Sequence, residues 1–129
     1  MTVCKIQLDR VSLDFDSCAV LSDLSLITHE KRIAVIGRNG SGKSTFARLI
    51  CGLIAPSKGH VTVDGINVLN DRKMAVQTVG LLFQNPDHQI IFPTVIEEIS
   101  FGLRQIGQSI ETANDKAKSI LSQFGCLDW

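Results

Sequence analysis

The sequence lacks an excess of charge of either sign and lacks a long apolar segment. Its 129 residues include 13 basic and 13 acidic side chains, so the formal net charge is zero. Proteins that bind nucleic acid through a basic surface carry a surplus of lysine and arginine, so we expect no nucleic-acid partner. The most apolar run begins at Phe46, is interrupted by Arg48 and ends at Pro56, which is too short to span a membrane. Residues 1–6 lack the apolar core of a signal peptide.

Patterned cysteines are also absent. The four cysteines stand at positions 4, 18, 51 and 126 and form no C-x-x-C pair. Disulfide frameworks and zinc sites both show characteristic cysteine spacings, and neither spacing is found here. We therefore expect reduced thiols in a cytosolic protein and no metal site built from cysteines.

The most specific pattern that is present is a glycine-rich loop. Residues 37–45 read GRNGSGKST and fit the pattern G-x-x-x-x-G-K-[ST]. The loop follows residues 31–36, KRIAVI, which we predict to be a short buried strand, and it precedes a predicted helix at 46–50. Strand, loop and helix in this order are the setting of a phosphate-binding loop. A glycine-rich turn that binds nothing is the alternative, and the flanking elements favour the phosphate-binding interpretation.

The chemistry of this loop follows from its residue types. Glycine permits backbone conformations in which successive N–H groups turn inward around an anion. The helix that follows directs the positive end of its dipole at the same place. Lys43 adds a mobile positive charge for the outer phosphates, and the Ser44 hydroxyl is suited to a magnesium ion.

Around this loop the sequence predicts an α/β fold. Two antiparallel strands precede it, at 4–11 (continuing to Phe15 past a kink) and at 20–28. After it we predict a strand at 59–63 with a tight turn at Asp64-Gly65, a short helix from 70 or 71 to 76, and a buried parallel strand at 79–83 that ends at Gln84. Thr94 and Ser109 each begin a helix, ended by Gly107 and Gly125. The predicted buried faces of the three longer helices are 46, 49, 50 and 53; 96, 99, 103 and 106; and 113, 117, 120, 121 and 124.

Four features taken in order carry a family resemblance: Phe15, the loop at 37–45, the strand that ends at Gln84, and the helical hairpin after it. Together they resemble the N-terminal part of an ABC-type ATPase, over essentially the whole chain. The run 83–95, FQNPDHQIIFPTV, resembles the ATPases of energy-coupling-factor importers for vitamins and metals. Within that class, residues 88 and 90–92, with residues 30–33, are most similar to the biotin importer ATPase. Cobalt and nickel importer ATPases are the alternatives.

The resemblance implies a partial P-loop NTPase core of the ABC type. It implies an N-terminal antiparallel β subdomain at 1–30 and 59–70 and a phosphate-loop core at 31–58 and 71–84. The segment 85–129 would hold the Q-loop and the start of a helical subdomain, with a C-terminal helical hairpin. The implied activity is ATP hydrolysis coupled to vitamin uptake, with biotin as the vitamin, and the implied cofactors are ATP and Mg²⁺.

The family's site residues transfer to matching positions of this sequence. Phe15, where the family usually has tyrosine, would stack on adenine, since stacking needs only the ring face; alternatively it packs in the sheet. Lys43 and Gln84 are the implied catalytic residues, and Ser44 and Gln84 the implied magnesium ligands. Gln84 would orient the attacking water, although a glutamine at a strand end is by itself an ordinary solvated residue. The implied nucleotide-binding residues are Phe15, Gly37, Asn39, Gly40, Ser41, Gly42, Lys43, Ser44 and Thr45.

The resemblance also implies partners at the cytoplasmic face of a membrane, where the protein would be peripheral. Residues 87–89 and the helix from Thr94 would face a membrane coupling protein, which acts on a substrate-binding membrane subunit. A second ATPase subunit, identical or different, would complete the ATP sites. We expect His88 to have a surface or capping role rather than to act as a proton switch.

Several motifs of that family are not found in this sequence. It contains no signature loop like L-S-G-G-Q, no apolar strand that ends in Asp-Glu, and no late histidine that senses the γ-phosphate. In the family these lie downstream of the position of Trp129. The chain alone is therefore expected to bind ATP but not to turn it over, and to expose apolar surface on 31–36 and 79–83, whose neighbouring strands are missing.

Two other function classes remain open at the level of sequence. An unrelated phosphate-loop enzyme, such as a small-molecule kinase, usually carries its loop near the N-terminus, whereas about 36 residues precede it here. A non-catalytic nucleotide-binding module would bind ATP without turnover even beside its partners.

Overall fold

The computed structural model describes residues 4–16, 18–85, 87 and 89–128, in two compact units, Met1–Leu81 and Leu82–Trp129. The finer division into a β subdomain, a phosphate-loop core and a helical subdomain stays a prediction. The elements of the first unit are β1 (Ile6–Phe15), β2 (Cys18–Thr28), α1 (Lys43–Ile50), β3 (Lys58–Val63), β4 (Ile66–Asn67) and α2 (Arg72–Thr78). Those of the second unit are α3 (Val95–Gln105) and α4 (Ile110–Gln123).

The first two strands form the predicted antiparallel pair, and the continuation of β1 to Phe15 is confirmed. Their register is irregular in the middle, where Arg10 and Asp23 have φ angles of 45° and 46°. The Arg10 N–H donates to Ser25 Oγ at 3.1 Å, and the Asp23 N–H donates to Ser12 Oγ at 3.0 Å. These hydroxyl groups accept hydrogen bonds where a bulge interrupts the backbone ladder, so the kink does not break the pair.

The sheet continues on the other side of β1, and its strand order is β2-β1-β3-β4 with all neighbours antiparallel. Asp64 and Gly65 connect β3 to β4 with φ angles of 50° and 79°, the two positive values that a type I′ hairpin turn requires. Gly59 in β3 has a φ of 78°, and a Cβ atom there would lie 2.3 Å from the carbonyl oxygen of Asp9. Glycine at 59 therefore permits β3 to approach the bulge of β1.

The helices α1 and α2 share one core with the sheet. Leu49 of α1 is fully buried, and Phe46 and Ile50 are partly buried against the same core. Leu53 is half-exposed, so the predicted face of α1 is wrong at that position, because the helix ends at Ile50. The Asp71 carboxylate accepts a hydrogen bond from the N–H of Met74 at 3.1 Å, which confirms Asp71 as the cap of α2. The buried core residues are Leu8, Val11, Leu13, Leu49, Val61, Val63, Val68 and Ala75.

Two predicted core strands, at 31–36 and 79–83, are not strands in the structure. They are not buried either, since Ile36 is 91% and Leu82 86% exposed. A parallel strand needs hydrogen-bonded neighbours and covering layers. The strands of the described residues all pair antiparallel with one another, and none pairs with these runs. The two predictions of buried strands are therefore wrong for this chain, whereas the expected exposure of apolar surface on both runs is confirmed.

The second unit contains the predicted helical hairpin. Thr94 caps α3: its Oγ1 accepts from the Glu97 N–H at 3.3 Å and donates to Glu97 Oε2 at 2.6 Å. This confirms the pairing of Thr94 with Glu97 that the capping-box spacing predicted. Ser109 caps α4 by accepting from the Thr112 N–H at 3.2 Å.

The buried face of α4 is narrower than predicted. Ala113, Ala117 and Leu121 are buried, but Ile120 and Phe124 are exposed, and so is Ile106 just after α3. The predictions for these three positions are wrong, because two helices alone bury only the stripe along which they face each other. Within the described residues, none of the helices has the length and apolar character needed to cross a membrane.

Candidate functional site

The glycine-rich loop at 37–45 turns the chain from the exposed run 31–36 into α1. Its turn is closed by a hydrogen bond from the Ser41 N–H to the Arg38 carbonyl oxygen at 3.1 Å. Gly40 and Gly42 have φ angles of 82° and 87°, which are strained for any residue with a side chain. Gly42 is also the N-terminal cap residue of α1, and its carbonyl oxygen accepts from the Phe46 N–H at 2.8 Å. Because of these two glycines, the loop closes directly onto the first turn of the helix.

The start of α1 is suited to an anion. The first N–H groups of any α-helix have no partner within the helix. Here the cap residue is a glycine without a side-chain hydrogen bond, and the first turn contains no acidic residue. An anion at this end would therefore meet backbone N–H groups and the positive end of the helix dipole without competition from a carboxylate.

The ammonium group of Lys43 lies folded back over the loop. Its Nζ donates to the carbonyl oxygens of Gly37 at 2.9 Å and Arg38 at 2.8 Å. The side chain starts from the first residue of α1, and its charge lies at the carbonyl oxygens of the loop's first two residues. The sequence predicted the charge of Lys43 but not these two acceptors, because any residue type supplies a backbone carbonyl.

Two glycines of the loop have close neighbours that leave little room for a side chain. A Cβ atom at Gly37 would lie 2.6 Å from Ser41 Oγ, and a Cβ atom at Gly42 would lie 3.1 Å from Val20 Cγ1. Val20 belongs to β2, so the end of the loop packs on the sheet. The sequence did not single out Val20 as part of the site, because no local pattern links a strand residue to a loop 22 positions later.

All the loop residues predicted for phosphate binding lie in this one segment. Asn39, Ser41 and Ser44 are exposed, and Thr45 is partly buried in the first turn of α1. The hydroxyl groups and N–H groups of the segment thus belong to the loop and to the first turn of α1. Their role in holding a nucleotide stays a prediction.

Phe15 lies at the end of β1, where it pairs with Cys18 of β2. Its side chain is 50% exposed, so it is not a core residue of the sheet. Val20, whose side chain lies close to Gly42, is two residues after Cys18 in β2. The usual strand rise separates Val20 from Cys18 by roughly 7 Å. Phe15 is therefore exposed near the part of β2 that lies beside the loop, and its stacking on adenine stays a prediction.

Gln84 and the residues after it belong to the second unit. Gln84 is exposed and directly follows the run 79–83, and its predicted role at magnesium stays a prediction. His88 lies outside the described residues. Asp87 is exposed, and its N–H donates to the Asn85 side-chain oxygen at 3.0 Å.

A cavity of about 460 Å³ adjoins the loop and has a mostly apolar lining. Ser41, Gly42 and Lys43 lie at one side of it, and the remaining lining comes from β2, residues 33–36 and Phe46. Such a lining offers an anion few donors, so the candidate phosphate site is the backbone of the loop itself. Among the described residues no group of three histidine, cysteine or acidic side chains is placed to hold a metal ion, and the four cysteines are free thiols.

Comparison with known proteins places these observations in a family. A family model described as "ABC transporter" matches residues 21–129. The biotin transport ATP-binding protein BioM of Rhodobacter capsulatus is 52% identical over 124 residues, which are 96% of this chain and 53% of that protein. The energy-coupling factor transporter ATP-binding protein EcfA1 of Fusobacterium nucleatum is 34% identical over 127 residues, which are 96% of this chain and 48% of that protein. The chain thus spans about half the length of the curated relatives it matches.

A solved structure shows the same fold. It is cbiO1 of Clostridium perfringens, part of the ABC transporter complex cbiONQ, with a TM-score of 0.69 at 22% identity. The match covers 93% of this chain and 50% of that one. The antiparallel sheet and the helices of the described residues are therefore part of an α/β ABC core, which confirms the predicted fold class. With its family model, its relatives and its fold in agreement, the chain belongs to the ABC transporter family of ATPases.

Proposed function

We propose that this chain is the ATP-binding part of an energy-coupling-factor importer and couples ATP binding and hydrolysis to the uptake of biotin. The observation that carries the proposal is the loop at 37–45, in which Lys43 Nζ lies between two carbonyl oxygens at the start of a helix without acidic residues in its first turn. The choice of biotin rests on the 52% identity to a protein named as a biotin transport ATPase.

The chain's own groups would bind the phosphates in two steps. The N–H groups of residues 40–45 and the first turn of α1 would surround the phosphate oxygens. Lys43 would then exchange its carbonyl acceptors for those oxygens, because an ionised phosphate oxygen adds the attraction of opposite charges, which a neutral carbonyl oxygen does not supply. The carbonyl oxygens of Gly37 and Arg38 hold the ammonium in place until then.

Magnesium would be held by Ser44 and Gln84. The Ser44 hydroxyl is exposed at the start of α1, and oxygen donors of this kind fit a hard cation that keeps several of its waters. The ion supplies positive charge that offsets the negative charge of the phosphates. Gln84 would orient the attacking water through its amide, which accepts and donates hydrogen bonds without removing a proton.

Phe15 would stack on the adenine ring. Its half-exposed ring and its position along β2 from Val20 support this role. A phenylalanine keeps the stacking face of a tyrosine and lacks only its hydroxyl group.

Turnover would require groups that this sequence does not contain. The 129 residues include no Asp-Glu pair after an apolar strand and no signature loop. We propose that the chain alone binds ATP without turning it over, and that a second ATPase subunit, a membrane coupling protein and a substrate-binding membrane subunit complete the transporter at the cytoplasmic face.

The experiment is Lys43→Ala in the ATPase subunit that contains this chain, expressed with its membrane partners, with uptake of labelled biotin as the measurement. Loss of uptake is expected, because the ammonium that binds the outer phosphates is removed. The matched control is Lys118→Ala, since Lys118 is exposed on α4 and should leave uptake unchanged. Normal uptake with Lys43→Ala would contradict the role of the loop. Uptake of cobalt or nickel instead of biotin would contradict the substrate assignment and leave the transport function standing.

A further inference from the structure

The C-terminal end of α1 is closed against the segment that follows β4. The N–H of Gly52 donates to the Leu49 carbonyl oxygen at 3.0 Å, and the N–H of Leu53 donates to the Arg48 carbonyl oxygen at 2.9 Å. This pair of hydrogen bonds is a common way for a helix to end. Gly52 is buried, and a Cβ atom there would lie 2.4 Å from the carbonyl oxygen of Val68. The end of α1 therefore packs directly on the backbone between β4 and α2.

A charged donor reaches the same place. The guanidinium group of Arg72, the first residue of α2, donates a hydrogen bond to the carbonyl oxygen of Gly52, 20 positions earlier in the chain. A buried carbonyl oxygen without a donor is costly, and a hydrogen bond from an ionised donor is stronger than one from a neutral donor. The positive charge also lies near the end of α1 at which the helix dipole is negative. Arg72 thus stabilises the C-terminal end of α1 by a hydrogen bond and by its charge.

The position of Arg72 is not explained by the helix to which it belongs. The first turn of α2 contains Arg72 and Lys73 and no acidic residue. A cation in the first turn of a helix is unfavourable, because the helix dipole is positive there. A residue that conflicts with its local setting commonly serves an interaction elsewhere in the fold. For Arg72 that interaction is the hydrogen bond to α1.

The turn that carries Arg72 is itself fixed by hydrogen bonds. Asn67 Oδ1 accepts from the N–H groups of Leu69 at 3.1 Å and Asn70 at 3.2 Å. The carbonyl oxygen of Asn67 accepts from the N–H of Asp71 at 3.0 Å. Three consecutive backbone donors before Arg72 thus have acceptors on one residue, so Arg72 holds Gly52 from a fixed position.

The helix α1 is short enough for one end to determine the position of the other. Its eight residues span about 12 Å. Leu49, near the C-terminal end, is fully buried, whereas Ser44 in the first turn is exposed. The N–H groups at the start of a helix receive an anion well only when their positions are set in advance. A shift of the C-terminal end of α1 would displace the N–H groups at its other end.

We propose that Arg72 is a positioning residue of the phosphate site. By holding the carbonyl oxygen of Gly52, it fixes the C-terminal end of α1 and thereby the placement of the N–H groups that receive the phosphates. This rests on the proposed function, because it requires that the loop at 37–45 binds a nucleotide. It adds a residue that lies outside the loop and does not touch the nucleotide.

The test uses the ATPase subunit that contains this chain, with the dissociation constant for MgATP as the measurement. Arg72→Ala is expected to weaken binding about three- to tenfold, the factor that one hydrogen bond contributes to an equilibrium. Arg72→Lys keeps a charged donor and is expected to lose less. Lys73→Ala is the matched control, because Lys73 is the neighbouring exposed cation of α2 and should leave the affinity unchanged.

Amide hydrogen exchange distinguishes positioning from a general loss of stability. In Arg72→Ala the amides of residues 44–51 are expected to exchange faster, whereas those of β1 and β3 keep their protection. Faster exchange throughout the sheet as well would show a merely structural role and overturn the inference. Arg72→Lys supplies the same comparison if Arg72→Ala does not fold.

The remaining outcomes separate the inference from the proposed function. If Arg72→Ala binds MgATP as tightly as the unaltered subunit, or if Lys73→Ala weakens binding equally, the inference fails and the proposed function stands. If Arg72→Lys is as weak as Arg72→Ala, a charged donor to Gly52 is not what matters and the inference also fails. If the folded, unaltered subunit does not bind MgATP, the proposed function fails and the inference fails with it.

Discussion

At the scale of single residues, the site depends on backbone groups more than on side-chain chemistry. Lys43 is the one charged side chain of the loop whose partners the structure defines, and both partners are carbonyl oxygens. Gly40 and Gly42 matter for their positive φ angles, and Val20 matters for the surface it offers to Gly42. The residue types at 37–45 therefore predicted what the loop can bind, whereas the contacts that hold it required the structure.

The rate at which a cysteine is alkylated tests the burial of a single side chain. Cys51 ends α1, and burial raises the pKa of its thiol above the ordinary cysteine value. A raised pKa lowers the thiolate fraction at any given pH, so we expect iodoacetamide at pH 8 to alkylate Cys51 several times more slowly than the exposed Cys18. The rate at Cys51 should continue to rise at pH values above the ordinary thiol range. Peptide mass spectrometry measures both rates.

The control is alkylation in urea, where unfolding removes the burial and the two cysteines should react at similar rates. Equal rates in the folded chain would contradict the burial of Cys51.

At the scale of elements, sequence patterns predicted correctly those interactions that join residues close together in the chain. Thr94 and Glu97 are three residues apart and their capping contact was predicted, as was the Asp64-Gly65 turn. The contact of Arg72 with Gly52 was not predicted, because no sequence pattern connects the first residue of a helix to a carbonyl oxygen 20 positions before it. The prediction of strands at 31–36 and 79–83 was wrong, because a strand forms only beside other strands that share its backbone hydrogen bonds. An apolar pattern does not show whether such strands are present.

Gly59 in β3 and Gly65 in the turn after β3 have nearly the same φ angle but different surroundings, so their alanine variants can be compared. Gly59 and Gly65 have φ angles of 78° and 79°, but a Cβ atom at Gly59 would meet backbone oxygens at 2.3 and 2.5 Å, and at Gly65 it would meet nothing within 4 Å. Gly65→Ala should lower the free energy of unfolding by about 1–2 kcal/mol through the left-handed backbone alone. Gly59→Ala should cost a further ~1–3 kcal/mol for the overlap.

Urea denaturation followed by circular dichroism measures both variants. Equal destabilisation would show that β3 does not approach the bulge of β1 as closely as the structure indicates.

At the scale of the whole molecule, the predicted fold class and family are confirmed, and the sheet and helices were mostly predicted from their patterns. The exposure of apolar surface on the runs 31–36 and 79–83 was predicted and is confirmed at Ile36 and Leu82, whereas the assignment of the two runs as strands was wrong. The chain matches about half of the length of the relatives compared above.

The most direct test of the central claim is the equilibrium binding of ATP to the 129-residue chain, with and without Mg²⁺. We predict saturable binding that Mg²⁺ strengthens, that Lys43→Ala weakens at least about tenfold because a charged hydrogen bond contributes roughly 1.5–3 kcal/mol, and that Lys118→Ala leaves unchanged. Circular dichroism establishes that the variants are folded alike. Binding of ATP to Lys43→Ala as tight as to the unaltered chain, or no binding by the folded chain, would contradict the assignment of residues 37–45 as its phosphate site.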